Sequence, residues 1–196
     1  MTSPTATLID SLNDELSDER VQRISTRIGA DPDRTRSAIN DALPLLVGAL
    51  GAEASDPNAA PGLTRALAED HDGSLLDDLD DYLAGNVSGR RADGTGILKH
   101  ALGDRQTAAE EAVAKKSGLD MGTIGPLLSM LAPIVMNMLG RKQRQSGGAG
   151  GFGLDDLLGG ILGGGSTGST TTPRTQSQGL DDLLGSLLGG STRSDR

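Results

Sequence analysis

The sequence predicts an all-α domain followed by a Gly-rich tail, and three observations carry that expectation. Apolar residues recur at helical spacing through residues 1–145. No stretch shows the period-two alternation of β-branched residues that marks a strand. Composition then changes near Ser146: 15 of the 29 Gly fall in residues 146–196, while residues 1–145 hold nearly all the Ala, Ile, Val and Met. Residues 1–145 therefore read as the folded domain. Residues 146–196 read as a disordered Gly/Ser/Thr-rich tail that cannot build a core unaided.

The elements follow in order. Leu8, Ile9, Leu12 and Leu16 recur at i, i+1, i+4 and i+8, which lines one face of a first helix. Ser17-Asp18-Glu19-Arg20 offers a cap, and Val21, Ile24 and Ile28 continue the spacing as far as Gly29. Asp31-Pro32 restarts the chain with an N-cap acceptor and a Pro at the first helical position. Ile39, Leu43, Leu46 and Leu50 form the stripe of the long helix that follows. Pro61–Leu67 and Leu75–Leu83 read as shorter helices separated by a turn at Asp70–Gly73, with Ser74 as N-cap. Gly94–Leu102, Thr107–Ser117 and Thr123–Leu139 complete the set.

A shift of 89 residues superposes two parts of the chain without a gap. Gly29, Asp31, Pro44 and Gly51 fall on Gly118, Asp120, Pro133 and Gly140, and Ile24, Ile39, Leu45, Leu46 and Leu50 meet Val113, Leu128, Ile134, Val135 and Leu139. Each copy has a helix closed by Gly, an Asp cap, and a long apolar helix with an internal Pro. Two related helix-turn-helix units are expected, packing their long helices together as the core. Chance similarity between two apolar helices is the alternative. A Pro removes one helical hydrogen bond, so a kink or break is expected near Pro44 and Pro133.

Specific segments also carry a resemblance. Leu8-Ile9-Asp10-Ser11-Leu12, Ala42-Leu43-Pro44-Leu45-Leu46-Val47-Gly48-Ala49-Leu50 and Asp70-His71-Asp72-Gly73-Ser74-Leu75-Leu76-Asp77-Asp78-Leu79 are three of them. Gly94-Thr95-Gly96-Ile97-Leu98-Lys99-His100-Ala101-Leu102-Gly103 and Leu131-Ala132-Pro133-Ile134-Val135 follow. In this order they resemble the YidB-like bacterial family (domain of unknown function 937) over about residues 5–141. The resemblance implies an all-α fold related to homeodomain-like helical domains, and it implies no activity.

Composition and charge exclude several functions. The 18 Lys+Arg against 27 Asp+Glu leave a net charge of −9. That balance argues against a protein whose main task is neutralising phosphates. With no Cys there is no disulfide framework, thiolate metal site or cysteine nucleophile. One Tyr and one Phe are too few for a sheet that stacks bases on rings. Met1–Asp10 has neither the basic nor the apolar region of a signal peptide. The apolar stretch Ile124–Leu139 is shorter than the roughly 20 residues a spanning helix needs, so a core helix in a cytoplasmic protein is expected.

Four features are candidates for function. Asp70-His71-Asp72-Gly73-Ser74 places Asp70, Asp72 and Ser74 at the first three calcium-loop positions, but its Gly stands fourth and not sixth; a capped turn is the plainer reading. His71 and His100 lie near comparable Asp-Gly turns, and zinc would need carboxylates to complete its ligand set. Packing or surface histidines are the alternative, and neither a catalytic set, a metal site nor a cofactor is predicted. Arg20, Arg23 and Arg27 share one helical face, with Arg34 and Arg36 close behind. They could contact nucleic-acid phosphates, or form a solvated face paired with acidic neighbours.

The fourth feature is a duplicated tail peptide. Residues 153–164 recur as 179–190 with ten of twelve positions identical. Leu154, Leu157, Leu158, Ile161 and Leu162 lie on one face of a helix, as do Leu180, Leu183, Leu184, Leu187 and Leu188 in the second copy. Asp155 and Asp156, or Asp181 and Asp182, would occupy the first turn, where negative charge is favourable. Helices this short are marginal alone, so the peptides are expected to fold on a protein partner or on another copy. Leu76-Asp77-Asp78-Leu79-Asp80-Asp81-Tyr82-Leu83 echoes them inside the domain. Gly-Leu drift with no partner is the alternative. A non-enzymatic interaction or scaffolding module is the favoured function, ahead of nucleic-acid binding through the Arg20–Arg36 region and of membrane-surface association.

Overall fold

Every element that the computed structural model describes, over residues 4–145, is helical. In chain order these are α1 (Pro4–Glu15), α2 (Asp18–Ile28), α3 (Pro32–Ser55), α4 (Ala60–Glu69) and α5 (Ser74–Asp77). They continue with α6 (Leu79–Ala84), α7 (Gly94–Leu102), α8 (Gln106–Ser117) and α9 (Met121–Gln145), with single 3-10 turns at Arg90–Ala92 and Gly103–Arg105.

The helix ends follow the local chemistry of the Gly-x-Asp sequences at Gly29-Asp31 and Gly118-Asp120. Gly29 (φ 70°) closes α2, with its N–H on the Thr26 carbonyl and that of Ala30 on Ser25. Asp31 then accepts from the N–H groups of Asp33 and Arg34, both at 3.0 Å. Gly118 (φ 71°) closes α8 with its N–H on the Ala114 carbonyl, and Asp120 accepts from the Thr123 N–H at 3.1 Å and its hydroxyl at 2.8 Å. The expected cap at Ser17 makes no side-chain hydrogen bond. Before α5 the capping acceptor is Asp72, which takes the Ser74 N–H at 3.0 Å, so the Ser74 cap is corrected to its neighbour.

Both long helices run through their prolines without a break. Pro44 is exposed, so the Asn40 carbonyl that loses its helical partner lies on the solvated side. Pro133 is buried, and the carbonyl it frees, Ser129, is met by Gly94 at the start of α7. A Cβ on Gly94 would lie 1.6 Å from that oxygen, so only glycine permits the approach.

α9 is buried all round from Met130 to Gly140, as a central helix must be. It packs against α3, α5, α7 and α8 and also meets α1, α2 and α4. The two long helices do pack together, and α3 lies along α8 as well. At 25 residues α9 is long and apolar enough to cross a membrane, longer than the sequence estimate, but most of it is covered by the other helices. The single helix expected over Leu75–Leu83 is divided at Asp78 (φ −103°, ψ 22°). The division lets α5 pack against α9 while α6 packs against α2, with Leu75, Leu76, Leu79, Tyr82 and Leu83 all buried. The chain's one Tyr ends in the core: the Tyr82 hydroxyl donates to the Met130 carbonyl at 3.1 Å, and burial pushes its pKa up to about 12.

Candidate functional site

The Asp70–Gly73 turn is anchored from below by Asn137 of α9, a side chain with no exposed surface. Its Oδ1 accepts the Gly73 N–H at 3.1 Å, which fixes the orientation of the amide. Its Nδ2 then donates to the Pro133 carbonyl at 2.9 Å and faces His71 Nδ1 at 3.2 Å. His71 Nδ1 must therefore be the acceptor, leaving the proton of a neutral imidazole on Nε2. Burial lowers the His71 pKa, and Asp70, Asp72 and Asp93 draw it partly back. Gly140 completes the seat, since a Cβ there would lie 1.8 Å from the His71 carbonyl.

The carboxylates of this turn diverge and do not converge on one point. Asp70 pairs with Arg90 at 3.6 Å, and Asp72 with Arg144 at 2.8 Å. The hydrogen bond from the Ser74 backbone, first among several, lowers the Asp72 pKa. Among the described residues no three His, Cys, Asp or Glu are grouped as a metal site would require.

Above the turn, α3, α4, α7 and α9 enclose a cleft of about 570 Å³. Leu50, Leu63, Ile97 and Met136 give it an apolar floor, while Glu53, Asn58, Asp70, Arg90, Asp93 and both histidines supply its polar groups. The structure thus brings His71 and His100 into one site, although His100 is exposed and His71 is buried. Sequence reasoning missed Glu53. Burial raises its pKa, and His100 draws it back down. The available signal was positional: Glu53 stands one helical step beyond Leu50, at the edge of the stripe formed by Ile39, Leu43, Leu46 and Leu50.

Residues 10–143 match the model of a family described as "Bacterial protein of unknown function (DUF937)". The chain belongs to this bacterial family. No curated protein and no solved structure matches it.

Within the DUF937 domain, Arg20, Arg23 and Arg27 do share one face of α2, but that face is turned toward α6. Arg20 donates to the Glu15 carbonyl at 2.7 Å and pairs with Glu15 and Asp80. Arg23 lies 3.7 Å from Asp80, and Arg27 donates to the carbonyls of Tyr82 and Leu83 at the end of α6. Arg34 reaches the Gly118 carbonyl, and Arg36 the Leu16 carbonyl and Asp18. These arginines therefore have acidic or carbonyl partners within the chain, as in the solvated-face reading, while Arg23 and Arg27 stay exposed.

The tail peptides, with Leu154–Leu162 and Leu180–Leu188, lie outside the described residues. Their echo inside the domain is described. Leu76 and Leu79 are buried, Asp77 pairs with Arg141, Asp78 with Arg91 at 3.3 Å, and Asp80 with Arg20 at 3.3 Å.

Proposed function

We propose that this chain is a non-enzymatic, cytoplasmic protein-interaction or scaffolding module. Its helical domain carries two Leu-Asp-Asp-Leu-Leu peptides, and these fold on a protein partner or on another copy. The observation that carries the reading is the seating of α5 and α6, where leucines enter the core while Asp77, Asp78 and Asp80 each meet an arginine. Leu154-Asp155-Asp156-Leu157 and Leu180-Asp181-Asp182-Leu183 present the same residue types in the same order. A groove with an apolar floor and arginines along its edge would take them likewise. Burying one leucine contributes about 1.5–3 kcal/mol, enough for several together to offset ordering a short peptide with internal Gly. Two copies on one tether add avidity. The matched turns at Gly29-Asp31 and Gly118-Asp120 favour reading α2–α3 and α8–α9 as two related helix-turn-helix units.

The test compares the full chain with the double variant Leu157→Asp, Leu183→Asp by sedimentation and by crosslinking in cells. Self-association or a set of crosslinked partners that disappears in the variant supports the proposal. Identical sedimentation and identical crosslinks in both proteins would refute it.

A further inference from the structure

We infer that the cleft between α3, α4, α7 and α9 binds a small amphiphilic cation, a protonated primary amine seated on Glu53 with its apolar body on Leu50, Leu63, Ile97 and Met136. This goes beyond the interaction role proposed above and does not depend on the tail peptides.

Size comes first. About 570 Å³ lies within the range of preformed small-molecule sites, which pair an apolar lining with a few placed polar groups. The second argument is which polar group is left over. Asp70 is paired with Arg90, and Asp93 Oδ1 accepts the Gly96 N–H at 2.9 Å while capping α7. The Glu53 carboxylate has no hydrogen bond or ion pair among the described residues, and its position beside the apolar floor has stripped part of its water. A partly desolvated carboxylate is improved by a cation that also donates hydrogen bonds, which an ammonium group does.

Sign comes third. Three carboxylates, Glu53, Asp70 and Asp93, outnumber the one arginine on the rim. His71 adds no positive charge, because the amide of Asn137 holds its Nδ1 as an acceptor. His100 lies exposed at the mouth, and its interaction with Glu53 draws the carboxyl's pKa partly back down. An anionic ligand meets like charge here, and the acidic Leu-Asp-Asp-Leu-Leu peptides are therefore poor occupants of this cleft.

The full-length protein can be titrated at about pH 7 with octylamine, octanol and octanoate, each below its micellar concentration. Calorimetry and the amide shifts of Gly62, Gly96 and Ile97 would report binding. Octylamine should bind about 10-fold tighter than octanol, with octanoate the weakest, as one charge-assisted contact predicts. In Glu53→Gln the amine should fall to the level of the alcohol while the alcohol itself is unchanged. That second condition separates loss of charge from loss of the cleft. The assignment is overturned if none of the three binds, if all bind equally, or if the preference for the amine survives in Glu53→Gln. Displacement of the amine by an equal concentration of a peptide spanning 153–164 would overturn it as well.

Discussion

Replacing Asn137 with Ala should cost about 3 kcal/mol of folding stability. The figure follows from what the amide holds. The Gly73 N–H is buried and would be left without an acceptor, at about 1–3 kcal/mol. His71 Nδ1 would lose its donor, at a similar or smaller cost because a protonated ring can find a carboxylate nearby. The Pro133 carbonyl sits one helical turn before residue 137 and keeps that backbone partner. Removing three heavy atoms from a site with no exposed surface adds a small cavity term. With a urea slope of about 1–3 kcal/mol/M for a small protein, the midpoint should fall by about 1–3 M. Asn137→Asp makes a sharper test because it reverses a sign. An aspartate keeps an acceptor for Gly73 but now faces His71 Nδ1 with an oxygen, which favours the protonated ring. The His71 pKa, lowered in the parent protein, should then rise, as followed by the Cε1 proton in an NMR titration. A His71 titration unchanged in Asn137→Asp, or an Asn137→Ala cost below about 0.5 kcal/mol, would refute the arrangement of the amide and imidazole inferred here.

Further outcomes can be checked alongside. Gly94→Ala should destabilise by at least about 3 kcal/mol, since its Cβ would lie 1.6 Å from the Ser129 carbonyl and backbone must move. Gly48→Ala, a helical position with nothing within 4 Å of the added Cβ, should instead stabilise by up to about 1 kcal/mol in the same melts. Stability should also fall in acid through His71: its folded pKa lies below the reference value of 6.5, so the contribution is complete above pH 6.5 and is lost as pH drops toward the folded value. His71→Gln should flatten that part of a denaturation series between pH 7 and 5. Arg27→Gln should cost about 1 kcal/mol, because the carbonyls of Tyr82 and Leu83 lose a charged donor. A melting temperature equal to the parent's would return Arg27 to the role of a free surface cation.

The helices were legible because their signals are local. A Gly after an apolar run, then an Asp, specifies a helix end and a new start wherever it occurs, and the copies at Gly29 and Gly118 adopt nearly the same φ. The fate of the prolines was not legible, because a helix with a missing hydrogen bond survives or breaks according to what receives the freed carbonyl. For Pro44 the receiver is solvent, and for Pro133 it is a close approach by Gly94, 39 residues earlier in a separate element. The division of Leu75–Leu83 had the same origin. All its leucines suit one helical face, yet α5 packs against α9 and α6 against α2.

The cleft shows where sequence reading ends. His71 and His100 stand out together as rare titratable residues near comparable Asp-Gly turns, but nothing in a spacing of 29 positions shows that they share a space. They meet because Asn137 and Gly140 seat the first turn against α9 while Gly94 seats the second element against the same helix three turns earlier. Neither Asn137, inside the apolar stretch Ile124–Leu139, nor Glu53, near the end of a long helix, carries a motif of its own. Each is informative only once the opposing surface is known: the amide is buried because a turn needs its acceptor, and the carboxylate is half-buried because α4 and α7 close over it. In an aromatic-poor helical domain of this kind, a polar residue at the edge of a core stripe is therefore a stronger pointer to a site than a run of surface arginines. The arginines of α2 found partners on a neighbouring helix, whereas Glu53 sits beside the apolar floor of the cleft with His100 as its electrostatic neighbour.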